Sequence, residues 1–215
     1  MNKKRVTIIP LGENCLTRTI LTRWKIKPKK LFGEPTFPFD LAVFGMPEIT
    51  KALKTDFQEF FDDLEYSKER NCWIKAPNCI YFCHENNLNE NEKQKLIEIY
   101  TKRIENFRKA ILNSAPIVFV QNTGDFEDIE NQYNEIKRLR NKNPFRFIII
   151  DTQNTAPQLN HKEIKILKLK YPSSDYKNNW WKKEYFKSVQ GIIFEKTIAD
   201  FCLSVIKELQ NEPQS

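Results

Sequence analysis

The chain has 215 residues, 40% of them hydrophobic and 13% aromatic, with a net charge of +7. That supplies one sizeable core and excludes a disordered chain, while 5 glycines beside 16 phenylalanines exclude a collagen-like or low-complexity one. The excess charge is mostly lysine scattered along the sequence, the pattern of solvated faces, and it disfavours nucleic acid as a partner.

In chain order, Met1 to Arg5 is basic and Val6 to Ile9 apolar. The apolar run is too short for a signal-peptide core, and no run approaches the ~18–20 residues of a membrane span. The expected location is cytoplasmic, with no membrane association. Residues 6–10 read as a strand ended by the turn Leu11-Gly12-Glu13-Asn14, and 15–24 as a helix with Leu16, Ile20, Leu21 and Trp24 on one side. Residues 25–40 hold three prolines and a glycine and read as loop. The spacing of Ile49, Leu53, Phe57, Phe60, Phe61 and Leu64 predicts a helix over 47–64, with Pro47 in its first turn. A short strand is expected at 80–83 and a long helix at 90–112. The second half alternates more cleanly: strand 116–121, helix 126–141, strand 145–150, strand 164–169. Residues 189–194 suit either a last strand or a helix start, and 196–209 a helix.

Strands alternating with helices predict an α/β fold: a single three-layer domain with a mainly parallel sheet and helices on both faces. The runs Ile117-Val118-Phe119-Val120 and Phe147-Ile148-Ile149-Ile150 lack polar alternation, as strands buried on both sides should. The expected domain spans 1–210, with a helical segment inserted at about 45–113 and a frayed tail at 211–215.

Ligands of open parallel sheets bind beyond the carboxyl ends of the strands. The groups expected on that rim are Gly12 to Cys15, Cys83-His84-Glu85, Gln121 to Asp125, and Asp151-Thr152. Cys15 stands at a helix start, where free N–H groups and the helix dipole favour a thiolate and can hold an oxyanion. His84, one of two histidines, lies where a strand meets a polar loop and is the candidate base. Asp40, Asp125 and Asp151 are each able to orient it. The cysteines, Cys15, Cys72, Cys79, Cys83 and Cys202, are odd in number and without a secretion signal, which argues against a disulfide framework. A zinc site from Cys72, Cys79, Cys83 and His84 lacks a C-x-x-C pair, so no metal is expected, and Cys72, Cys79 and Cys202 read as buried thiols. Neither G-x-G-x-x-G nor a P-loop occurs, so no cofactor is expected. A Gly-Asp-Ser type hydrolase would open on a similar strand, loop and helix, but the D-x-x-H block it needs near the C-terminus is missing.

The run Ile9-Pro10-Leu11-Gly12-Glu13-Asn14-Cys15, followed by Pro38-Phe39-Asp40, then His84, then Tyr100-Thr101-Lys102-Arg103-Ile104-Glu105-Asn106-Phe107, resembles the bacterial DUF1796 family, catalogued as putative papain-like cysteine peptidases. The pattern it resembles reads S-L-G-x-x-C, P-F-D-W, an aromatic residue with H-D, and Y-x-x-R-x-x-R-F. This chain departs from it at Leu41, Glu85 and Asn106. The resemblance covers about the first 120 residues. It implies a Cys15–His84 catalytic pair and favours Asp40 over Asp151 as the third member.

The function expected is a cysteine-dependent hydrolase or acyl transferase: Cys15 attacks a carbonyl, His84 moves the proton, Asp40 orients the ring. Asn14, Asn122, Asp151 and Trp180 are the expected oxyanion or substrate-binding residues. The substrate expected is a peptide or a glycan. The alternative is a glycan- or nucleotide-sugar-binding or transferase module without thiol catalysis, for which Trp180 and Trp181 would supply stacking surface.

Overall fold

The computed structural model describes residues 5–75, 80–85 and 87–212. In chain order its main elements are β1 (Thr7–Pro10), α1 (Leu16–Arg23), α2 (Met46–Lys54), β2 (Leu64–Ser67), β3 (Cys72–Lys75), β4 (Ile80–Tyr81), α3 (Lys93–Leu112), β5 (Ile117–Thr123), α4 (Ile129–Arg140), β6 (Phe145–Asp151), β7 (Ile164–Lys168), α5 (Ser174–Asn179), α6 (Lys183–Phe186) and α7 (Val189–Asn211). The sheet order is β1-β5-β6-β7, every pair parallel.

Strand residues alternate between faces, and here both faces are apolar. Ile9, Ile117, Phe119, Phe147 and Ile149 join one core with α2, α3 and α4. Ile8, Val118, Val120, Ile148 and Ile150 join a second with α1, α5 and α7. All of β5 and β6 is buried, which is why their stretches 117–120 and 147–150 read as unbroken apolar runs. β1 is an edge strand, and the Ile8 carbonyl accepts a hydrogen bond from the buried Lys27 ammonium at 2.7 Å, which blocks further pairing there. Residues 189–194 are helical, because the Ser188 hydroxyl caps α7 by accepting from Gly191 N at 3.0 Å.

The insertion differs from its expectation. The helix over 47–64 stops at Lys54. Phe57 N returns to the Ala52 carbonyl at 2.9 Å, with Asp56 and Phe57 both left-handed at φ 50° and 64°. Left-handed Phe57 is costly by itself; its ring packs on Phe39, Phe60 and Phe107, with centroids 5.5–5.8 Å apart. A second sheet follows, antiparallel in the order β2-β3-β4, so the inserted segment is not purely helical. β4 belongs to that sheet and not to the parallel one. At the C-terminus Asn211 ends α7, and 213–215 lie outside the described residues, as does Cys79. Among the described residues no helix is long and apolar enough to cross a membrane.

Candidate active site

β1 delivers Cys15. Leu11 N stays bonded to the Val120 carbonyl at 2.7 Å, and the chain then turns sharply over residues 12–15. A Cβ on Gly12 would sit 2.4 Å from the Asn14 carbonyl oxygen, so only glycine fits the turn. The Asn14 carboxamide oxygen accepts from Leu16 N at 2.9 Å and closes the turn ahead of α1, whose N-cap position is Cys15. Leu16, Ile20 and Leu21, all fully buried, then seat α1 on the sheet.

His84 arrives from the antiparallel insertion. Phe82 N bonds the Trp73 carbonyl at 3.0 Å, and the Phe82 ring meets Tyr100 edge-on at 4.7 Å. The chain then tightens into a 3-10 turn, Cys83–Glu85. Glu85 forms a buried ion pair with Arg103 of α3. His84 stays exposed, and its Nε2 lies 3.0 Å from Cys15 Sγ.

Burial pushes the Cys15 thiol up to about 11, helped by the neighbouring Cys83 and opposed by the residue's own backbone N–H, which faces the sulfur. Burial also lowers His84 below the ordinary imidazole value, outweighing Glu85. Both shifts favour a neutral resting pair, with Sγ–H donating to Nε2. The thiolate expected from the helix start is thus not the resting form. The N–H of Leu16 is spent on Asn14, and desolvation outweighs what the remaining first-turn dipole offers.

The other expected site residues fall in different places. Asp40 is fully buried, and its Oδ2 accepts from Arg18 Nη1 at 3.0 Å and from Phe37 N at 3.1 Å. No hydrogen bond joins it to His84 among the described residues, so the orienting role expected of it is not the contact it makes. Asp151 is also buried; its two oxygens accept from Gln153 N and Ala156 N and shape the loop after β6. Asp125 folds the loop after β5, accepting from Glu127 N. Asn14 and Asn122 do come together beside the Tyr171 side chain, and Asn122 accepts from Thr17 at 2.9 Å. Trp180 is 5% exposed and packs in the second core, so it offers no stacking face; Trp181 is the exposed one. His161 stacks on Tyr133 at 4.1 Å.

Residue-level reading put Glu13 on the rim without a role, where it accepts from Thr123 Oγ1 at 2.5 Å, and missed Tyr171 beside it. It also missed the Glu85–Arg103 pair. The signal available for the pair was Arg103 inside the Tyr100–Phe107 block.

The family described as "Putative papain-like cysteine peptidase (DUF1796)" matches residues 6–153, a stretch that carries Cys15, Asp40, His84 and Arg103. Comparison with curated proteins and with solved structures returned no match. With more than half of its length matched, the chain belongs to the DUF1796 family, the putative papain-like cysteine peptidases.

Proposed function

We propose that the protein is a cysteine-dependent hydrolase or acyl transferase whose nucleophile is Cys15 and whose general base is His84. The observation that carries this reading is the 3.0 Å approach of Sγ to Nε2 at an exposed imidazole. As the sulfur attacks a substrate carbonyl, its proton passes to Nε2 and an S–C bond forms. The oxyanion is stabilised by the Cys15 N–H, which already faces the sulfur. The imidazolium then protonates the leaving group, and a thioester remains. Water completes hydrolysis, or another nucleophile completes transfer, with His84 again taking the proton. Because the pair rests neutral, His84 acts at the moment of attack and does not hold a standing thiolate.

The test is iodoacetamide labelling of the folded protein, read by mass spectrometry of the cysteine peptides across pH. Base-assisted attack gives Cys15 a flat rate above the His84 titration, below pH 6.5, followed by a rise toward the thiol's own value near 11. His84→Ala should remove the flat region, a loss of about 10²-fold at pH 7. Equal labelling of Cys15 in the wild type and His84→Ala across the whole range overturns the proposal.

A further inference from the structure

The two halves of the pair stand on separate pieces of backbone, and no hydrogen bond from the His84 ring to a carboxylate orients it among the described residues. Two buried ion pairs lie directly behind them. Arg18, one helical turn after Cys15, reaches Asp40 at 3.0 Å, with side-chain exposures of 9% and 0%. Glu85, the residue after His84, pairs with Arg103 at exposures of 12% and 10%. The Arg103 guanidinium lies 4.4 Å from the centre of the fully buried Tyr100 ring. Tyr100 in turn packs on Phe82, the residue that leads into the His84 turn.

The remaining charges around Asp40 are Lys27 and Glu34, themselves paired at 3.1 Å, and the charge of Arg103. Asp40 Oδ1 has no hydrogen-bond partner among the described residues. The two ion pairs therefore share one buried charge cluster drawn from α1, the 27–40 loop, the His84 turn and α3.

Resting on the Cys15–His84 reading above, we propose that Glu85 and Arg103 are positioning residues that set the His84 ring against the sulfur. Buried ion pairs contribute little net stability relative to apolar replacements, but removing one partner strands the other. What such a pair supplies here is direction. Glu85 is tied to Arg103 of α3, so the turn that carries His84 is anchored beside Sγ. A flexible surface carboxylate in its place would leave that turn unanchored.

The experiment is the Cys15 labelling profile in Glu85→Gln, Arg103→Lys, Arg103→Met and the double variant Glu85→Gln/Arg103→Met, beside His84→Ala. Ile136→Val, a core change on α4, which carries none of the residues varied above, controls for general destabilisation. We expect Glu85→Gln and Arg103→Met to lower the flat region at least fivefold, and Arg103→Lys to restore most of it. Ile136→Val should lower the melting temperature and leave the profile alone. Should a single variant fail to fold, the double variant removes both charges together and is read in its place, with the same loss expected. A folded Glu85→Gln or double variant with the wild-type profile, while His84→Ala loses it, overturns the positioning role and leaves the pair standing. A wild-type profile in His84→Ala overturns both.

Discussion

Cys15 and His84 come from regions built by different rules. The parallel sheet is apolar on both faces, and each strand is held from above, below and alongside. The insertion that brings His84 adds three short antiparallel strands, its Leu64, Trp73, Ile80 and Phe82 share the sheet's first core, and its His84 turn is held by aromatic edges and the buried Glu85–Arg103 pair. Redundant apolar contact fixes a backbone; a few directional contacts fix a side chain. The reactive pair forms where the first kind of order meets the second.

The largest effect that tests this contrast is a core truncation. Phe119 is fully buried at the centre of the sheet, so Phe119→Ala should cost about 3–5 kcal/mol, lost from both regions together in one unfolding transition. Denaturant unfolding followed by tryptophan fluorescence and by Cys15 labelling would check it. Two separated transitions would show that the insertion unfolds on its own.

Next comes alkaline pH. Burial in the second core pushes Cys202 up to about 12, and burial pushes Cys15 up to about 11. Between pH 9 and those values the unfolded chain gives up thiol protons that the folded chain keeps. The unfolded state then binds fewer protons, so stability falls as pH rises, by up to about 1.4 kcal/mol per pH unit for the fully buried Cys202. Cys202→Ala should flatten the slope between pH 9 and 11 in urea unfolding; an unchanged slope would place its source elsewhere.

Gly12→Ala strikes where the two regions meet. The added methyl would press on the Asn14 carbonyl, so the turn must shift and carry Cys15 with it. A stability loss of about 1–2 kcal/mol is expected, with a larger proportional loss in the flat region of the Cys15 labelling profile. If stability falls and labelling does not, the turn tolerates the shift without moving the sulfur.

The same contrast explains what could be read from sequence. β5 and β6 were legible because burial on both faces leaves an unbroken apolar run, and the helix start after β1 because its turn is short. The α2 boundary was not. Phe57, Phe60 and Phe61 keep helical spacing although the backbone reverses at Asp56, and periodicity records burial, not the path between buried residues. β2 and β3 hide for the opposite reason: Leu64 is the one buried residue of β2, and β3 buries Lys75. Cys15 and His84 were visible as chemistry at chain turns. The partner of Asp40 was not, since Arg18 lies 22 residues earlier and nothing local joins them. Nor was the shift of the Cys15 thiol, because a helix start shows in sequence and desolvation does not.

The smallest effect concerns the helix stop itself. Arg108 of α3 grips Asp56 with two side-chain contacts at 3.0 Å and one to its carbonyl at 2.8 Å, but both partners are exposed, their side chains by 47% and 65%. Exposed pairs are worth about 0.2–1 kcal/mol even with good geometry. If the backbone return of Phe57 to Ala52 and the packing of the Phe57 ring set the stop, the ion pair only trims it. Asp56→Asn keeps a residue tolerant of the left-handed region and removes the charge, so it should cost less than about 1 kcal/mol. Asp56→Val also forces a branched side chain into that region and should cost clearly more. A double-mutant cycle with Arg108→Ala in urea separates the two terms. A coupling well above 1 kcal/mol would mean that here, too, a directional contact holds the insertion in place, and that its apolar cluster follows the ion pair instead of leading it.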